Sequence, residues 1–348
     1  MKFIHIADVH LGAKPDRGKP WAREREDHSW QAFTNVITKA KEEQVQLLLI
    51  AGNLYHRQPL LQELKAVDYQ FSRIPDTQVV LIAGNCDYLS QDSCYAAFPW
   101  GRNVHFLKEK KMRYVELEGI KARVYGLSYH RREISQPLYR NVRVEDDGFT
   151  NILLGHGGDE RHIPFQASDF RKTPFDYVAL GHLPTPMQLI EEKAVMAGAL
   201  QPIQSRHTGE HGYFSGEIRD HACRVTFHPL HYCEYVPLNL KITPEIKVDE
   251  LEKFVVDYIR KSAPHQIFRI TLTGTCDPKA PAVARELERL ERVALVADRC
   301  QAGYDFEELK KKYGKQMVGR YIRALEGMPQ DEIVKKALSY GVEALMAE

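Results

Sequence analysis

Five short apolar runs in this chain each hand over to a side chain able to bind a metal ion. Asp8 and His10 follow residues 3–7, Asn53 follows 47–51, Asn85 follows 79–83, His156 follows 152–154 and His182 follows 177–180. Oxygen and imidazole donors in one set suit manganese, iron or zinc better than calcium or magnesium alone. Any one of these histidines taken by itself reads as a structural side chain. Repetition of the same handover is what argues for a site, because ligands of open α/β sheets gather beyond the carboxyl ends of the strands.

The elements that must position these groups are legible in the pattern. The five runs are rich in Ile, Val and Leu, end abruptly in polar clusters, and read as buried strands. Helical spacing over residues 30–40 and 61–71 gives a βαβαβ opening. A further strand is predicted at 122–126, and 213–218 with 224–228 reads as a hairpin closing the domain. After about residue 235 a new pattern begins, with strands at 236–242 and 267–273 and amphipathic helices at 249–261 and 282–292. From Asp305 onward, apolar residues at helical spacing and a break at 327–329 predict two terminal helices. The reading is therefore two domains, 1–235 and 236–348, with no internal repeat.

Composition bounds the function. At 348 residues and 43% hydrophobic content the chain can fill two cores. No stretch approaches a membrane span, and residues 1–8 are too short and too quickly polar for a signal peptide, so a cytoplasmic protein with no membrane partner is expected. Six cysteines without a Cys-x-x-Cys pair argue against a disulfide framework. Cys223, His228, His231 and Cys233 have spacings unlike known zinc modules. A net charge of +1 gives no field that would gather DNA, so nucleic-acid contact must be local. Residues 14–25, with Lys14, Arg17, Lys19, Arg23 and Arg25 beside Trp21, form a basic segment that either touches phosphate or is simply a solvated face.

The order and spacing of Asp8-Val9-His10, Gly52-Asn53, Gly84-Asn85, Gly155-His156 and Gly181-His182 resemble the five metal motifs of calcineurin-like metallophosphoesterases. Within that superfamily Leu54-Tyr55-His56, the following Arg57-Gln58-Pro59 and a small domain after the catalytic one are similar to the SbcD-type DNA repair exonucleases. The resemblance implies a four-layer αββα sandwich followed by a smaller α/β capping domain. It also implies Mn2+ as one or two ions, a bridging hydroxide as nucleophile and cleavage of DNA phosphodiesters. The implied partners are DNA and an SbcC-type SMC-like ATPase, with a homodimer as the further arrangement. Asp8, His10, Asn53, Asn85, His156 and His182 are the implied metal ligands. Asn85, Cys86 and His56 are the implied catalytic positions, His56 by placing substrate or orienting a ligand, its other reading being a plain surface-loop histidine.

Three positions depart from that pattern. Asn53 stands where the family has a bridging Asp, Cys86 where it has a His thought to handle the proton, and Pro184 where it has a last His ligand. Two divalent ions about 3.5 Å apart repel by about 19 kcal/mol at an effective dielectric of about 20, which a bridging anion offsets. Asn53 brings no charge, so single-ion occupancy at Asn85, His156 and His182 and weakened activity are expected. Cys86 reads as a thiolate ligand, a poor acid or a buried apolar side chain. A catalytically silent DNA-binding or ATPase-docking subunit is the alternative function.

Overall fold

Alternation along the strands of the amino-terminal unit divides their side chains between two cores. The computed structural model describes residues 1–348 except 141, 145, 146, 244, 277–282, 330, 331, 347 and 348. Its first compact unit is Met1–Tyr235. This begins with β1 (Lys2–Ile6), α1 (Ala22–Glu42), β2 (Leu47–Ala51), α2 (Leu61–Ser72), β3 (Gln78–Ile82), α3 (Cys94–Ala97) and β4 (Val104–Phe106). It continues through β5 (Arg113–Leu117), β6 (Ala122–Gly126), β7 (Thr150–His156), α4 (Ala167–Arg171), β8 (Tyr177–Gly181), β9 (Met187–Ile190) and β10 (Ala194–Met196). The hairpin of β11 (Gly212–Arg219) and β12 (Ala222–Pro229) ends the unit's main sheets.

Two six-stranded sheets result, in the orders β12-β11-β1-β2-β3-β4 and β5-β6-β7-β8-β10-β9. Phe3, Leu47, Leu49, Val80 and Ile82 of the first pack against Val124, Ile152, Leu154, Tyr177 and Val195 of the second. On the other face of the first sheet, Ile4, Ile6, Leu48 and Ile50 meet Phe33, Val36 and Ile37 of α1 and Leu64, Val67 and Phe71 of α2. Burial on both faces is why these strands are continuously apolar rather than alternating. The outer layer on the second sheet is thin: Phe170 of α4 is joined there by Tyr129, Ile134, Tyr139 and Ile163 from irregular chain. The architecture is thus the expected sandwich, with a fourth layer made mostly of loops.

The second unit, Val236–Glu348, has its own core. Its elements are β13 (Glu234–Ile242), which starts just before the unit, α5 (Val248–Lys261), β14 (Gln266–Cys276), α6 (Val283–Glu288), β15 (Val293–Asp298) and β16 (Gln301–Ala302). The helices α7 (Phe306–Lys312), α8 (Met317–Glu326) and α9 (Glu332–Met346) follow. Strands β13, β14 and β15 form one sheet, with β16 beside β14. Leu251, Val255 and Ile259 of α5 cover Phe268, Ile270 and Leu272 of β14. Ala282, where a helix was expected to begin, lies outside the described residues. Among the described residues the carboxyl-terminal stretch holds three helices rather than the expected two. Tyr313 and Gly314 separate α7 from α8, glycine being a poor continuation of a helix. Among the described residues, no helix is long and apolar enough to cross a membrane.

Candidate metal centre

The loops that follow β1 and β2 are zipped together by backbone bonds. Asp8 N–H donates to Gly52 O, His10 N–H to Asn53 O, Leu11 N–H to Leu54 O and His56 N–H to Leu11 O, at 2.9–3.1 Å. Asp8, His10 and Asn53 all take left-handed φ values, 47°, 51° and 51°, and His182 has φ 103°. Such conformations are costly for residues with a Cβ and persist where surrounding structure fixes them. Gly52, at φ 84°, has no alternative: a Cβ there would lie 2.5 Å from His156 Nδ1. The motif glycine is required because the backbone passes against a candidate ligand.

These loops, with those after β3, β7 and β8, border a cavity of about 530 Å3. Asp8, His10, Asn53, His56, Asn85, Cys86 and His182 line it, and His156 lies fully buried beneath, its Nε2 3.0 Å from Asn85 Oδ1. The residues named as metal-ligand and catalytic candidates are therefore brought to one place. Asn53 occupies the middle. Its Nδ2 donates to Asp8 Oδ1 at 2.8 Å and to Asn85 Oδ1 at 3.0 Å, while its Oδ1 accepts from Cys86 N–H at 2.8 Å. Only this amide orientation avoids facing oxygen with oxygen on both sides. Two amide hydrogens thus link the two halves of the cleft where a carboxylate would have shared charge.

Tautomers on the far side follow from the partners. His156 Nδ1 lies 2.8 Å from the Ala51 carbonyl, so it carries the hydrogen and Nε2 is bare. Burial holds this ring well below the ordinary histidine range, so it is neutral. Tyr129 and Tyr139 hydroxyls donate to His156 O and fix its backbone. Bare Nε2 then faces Asn85 Oδ1, which is an acceptor as well. Two lone pairs at 3.0 Å repel unless a cation stands between them. His182 has its Nε2 against the Asp159 carboxylate at 2.7 Å, which leaves Nδ1 bare. Asn85 Oδ1, His156 Nε2 and His182 Nδ1 are oxygen and nitrogen donors of the kind that could hold a divalent transition ion.

The near side is different. Asp8 Oδ1 accepts from Asn53 and Oδ2 from His182 N–H at 2.7 Å. Burial pushes its carboxyl up to about 7 despite those donors. His10 is held down at about 3, first by burial and then by His56, His207 and His182. Its Nδ1 lies 3.3 Å from His56 Nδ1, so one ring donates to the other. Cys86 is half-buried, and its thiol is pushed up to about 12 by burial and by Asp87 and Asp8. Without a metal ion, that disfavours a free thiolate at Cys86. Pro184 also lines the cavity and offers no side-chain donor.

The basic segment is corrected at Arg25 alone, since Lys14, Arg17 and Arg23 are exposed. Residues 22–25 belong to α1, and Arg25 is 2% exposed. Its guanidinium bonds the Pro202 carbonyl, pairs with Asp16 at 3.5 Å and lies over Tyr235. Burial beside an acid and an aromatic ring takes it out of reach of phosphate. Cys223 is packed in the inter-sheet core and His228 bonds Ser215 Oγ, each with a structural place.

Several cleft groups were not foreseen. Asp159, His162 and His182 bring ligand atoms within 4.8 Å of one another, and Arg206 and His207 reach the rim. The signal for Asp159 and His162 was present: with Glu160 they are three donor-type residues within six positions after His156.

Comparison with known proteins agrees with this geometry. A family model described as calcineurin-like phosphoesterase matches residues 1–195. The uncharacterized metallophosphoesterase YhaO of Bacillus subtilis is 27% identical over 300 residues, covering 79% of this chain and 72% of that protein. The DNA double-strand break repair protein Mre11 of Methanopyrus kandleri is 24% identical, covering 56% of this chain and 46% of its own length. Mre11 of Methanocaldococcus jannaschii is 26% identical, with 53% and 51% covered. The chain thus spans about half the length of these two Mre11 proteins. Strand-end donors around one cleft and a match across more than half the chain agree: this protein belongs to the calcineurin-like phosphoesterase family.

Proposed function

We propose that this protein is a metal-dependent phosphodiesterase of the DNA exonuclease kind, SbcD-like, running slowly on one divalent ion held by Asn85, His156 and His182. The observation that supports it most is the pair of lone pairs, His156 Nε2 and Asn85 Oδ1, facing each other at 3.0 Å in a half-buried place at the cavity wall. A divalent ion bound there supplies Lewis acidity and lowers the pKa of water. The chain's own residues do the rest. Arg206 brings a guanidinium to the rim where a phosphate charge is received, and His56 and His207 border the same space. Asp87, buried and accepting N–H bonds from Gly84 and Tyr55, holds the loop that carries Asn85. Cys86, protonated up to about 12, is too weak an acid to give a leaving oxygen its proton at neutral pH, so that step falls to solvent and is slow.

DNA as substrate draws support from the DNA double-strand break repair named in the two Mre11 relatives. The second unit would serve as a capping module, an SMC-like ATPase and a second copy of the chain being the partners. Manganese suits the mixed donor set. Cytoplasmic location fits such a role.

A silent DNA-binding or ATPase-docking subunit is favoured by one observation: Asn53 already ties Asp8 to Asn85 without an ion. Metal content after manganese loading and dialysis, measured with DNA hydrolysis, separates the readings. One ion per chain with slow cleavage is expected. Asn53→Asp, Cys86→His and Pro184→His together should raise stoichiometry to two and the rate by about a hundredfold. Two ions and fast cleavage in the unaltered protein would overturn the reading. A triple variant that binds two ions and cuts nothing would favour the silent subunit.

A further inference from the structure

Asp159 lies outside the motifs that define the cleft, yet its two oxygens gather three N–H groups. Oδ2 is 2.7 Å from His182 Nε2, Oδ1 is 2.8 Å from both His162 Nδ1 and Arg161 N–H. An ionised carboxylate only accepts, so both ring nitrogens carry hydrogen. That leaves His182 Nδ1 and His162 Nε2 as the ring nitrogens not bonded to Asp159. His162 Nε2 lies 3.4 Å from Asn85 Nδ2, within reach of a weak hydrogen bond from the amide. The other end of that amide, Oδ1, is thereby turned toward His156 Nε2.

The carboxylate is held as an anion. Three N–H donors on its two oxygens favour the charged form over the neutral acid. Its placement is built by a tight turn in which Gly158 N–H donates to His162 O at 2.8 Å. Gly157 there has φ 148°, and a Cβ on it would lie 2.4 Å from His162 O, so only glycine fits.

We propose that Asp159 is the charge-bearing positioning residue of the metal centre, replacing the carboxylate missing at Asn53. Resting on the one-ion reading above, this makes Asp159 fix His182 directly, and Asn85 through His162, in the state that presents lone pairs to the ion. The three donors themselves are neutral, so the anion behind them offsets the ion's charge. Carboxylate–histidine–metal arrangements of this kind raise ligand basicity and fix the tautomer. The anion has moved from between two half-sites to the back of one, which fits a centre for a single ion.

The test is titration of the metal-free full chain with Mn2+ by calorimetry, with ring-nitrogen NMR of histidine-labelled, metal-free protein. Asp159→Asn should weaken Mn2+ binding 10–100-fold at unchanged stoichiometry. His182 should lose its single Nε2–H tautomer in that variant, and Asp159→Glu should recover most of the affinity. The Asp159 side chain is 44% exposed, so its replacement does not threaten the core. His162→Gln gives a second reading, about a tenfold loss, independent of any effect of Asp159 on folding. Unchanged affinity and an unchanged His182 tautomer in Asp159→Asn would overturn the proposal. His156→Gln separates this from the reading beneath it. If Mn2+ binding is lost in His156→Gln but kept in Asp159→Asn, the ion is placed correctly and the clamp is wrong. If it is kept in both, the ion lies elsewhere and both readings fall.

Discussion

The two sides of the cleft draw on the same residue types and differ in what their lone pairs already face. Near Asp8, both carboxylate oxygens accept N–H bonds and His10 Nδ1 is engaged with His56. Near His156, Nε2 is bare and is aimed at a second acceptor, Asn85 Oδ1. The Asp8 oxygens are already engaged by N–H donors, whereas His156 Nε2 faces an acceptor, an arrangement that a cation would relieve. Residue type nominates a ligand, but the partners of its other atoms decide whether it is available.

The largest expected effect follows from that contrast. His156→Gln should lower Mn2+ affinity by more than about a hundredfold, while His10→Gln should lower it by about tenfold or less. Calorimetric titration of both variants checks the pair. Equal losses would show that the two sides bind together and that the asymmetry drawn here is false.

Asn53→Asp probes the link between the sides. In the metal-free protein it would replace two amide donors by a carboxylate facing Asp8 Oδ1 and Asn85 Oδ1. A buried acid without its partner costs about 3 kcal/mol. Thermal unfolding without metal should therefore occur at lower temperature than for the unaltered chain, and manganese should reverse the order. A variant stabilised in the absence of metal would mean that Asn53 is not a donor to Asp8.

The geometry that makes these tests specific was only partly legible in sequence. Strand ends were readable because residues 47–51 and 79–83 are buried on both faces and stop at a motif glycine. The amide of Asn53 could be named as a lost charge, but its hydrogen bonds depend on where Cys86 N–H and Asp8 lie, which is tertiary information. Asp159 and His162 sit in irregular chain after β7, where no periodicity reports direction. Arg25 shows the reverse error. Its charge suggested solvent, while its contacts with Asp16, Tyr235 and the Pro202 carbonyl are set by residues more than 170 positions away in part.

Acid sensitivity gives a smaller, graded test. His5 and His10 are held down at about 3, chiefly by burial, so they stay neutral in the fold while the unfolded chain protonates near 6.5. Stability from these groups is present above about pH 6.5 and is lost as pH falls toward 3. Asp8, raised to about 7, works the other way: the fold keeps its proton while the unfolded chain releases it near 4, so stability falls as pH rises between 4 and 7. Removing that opposing group by Asp8→Asn should steepen the acid loss of the metal-free protein between pH 4.5 and 6, by about 1.4 kcal/mol per pH unit. Denaturant unfolding at several pH values measures it. An unchanged slope would mean that Asp8 is ionised in the fold and that the near side is more open than its hydrogen bonds imply.

Cys86 marks where the two sides meet, since its N–H holds the Asn53 amide and its thiol borders the cavity. The backbone makes that bond, so the side chain can change without releasing Asn53. With the thiol pushed up to about 12 by burial and the neighbouring acids, its thiolate fraction at neutral pH is negligible and it competes poorly for a cation. Cys86→Ala should then change Mn2+ affinity by less than about twofold. Alkylation gives a matching readout: the exposed Cys94 should react well before Cys86 in metal-free protein at pH 7, as intact and peptide mass measurements would show. A large loss of affinity in Cys86→Ala, or rapid modification of Cys86, would place a thiolate at the centre. The missing anion would then be sulfur at position 86 rather than the carboxylate of Asp159.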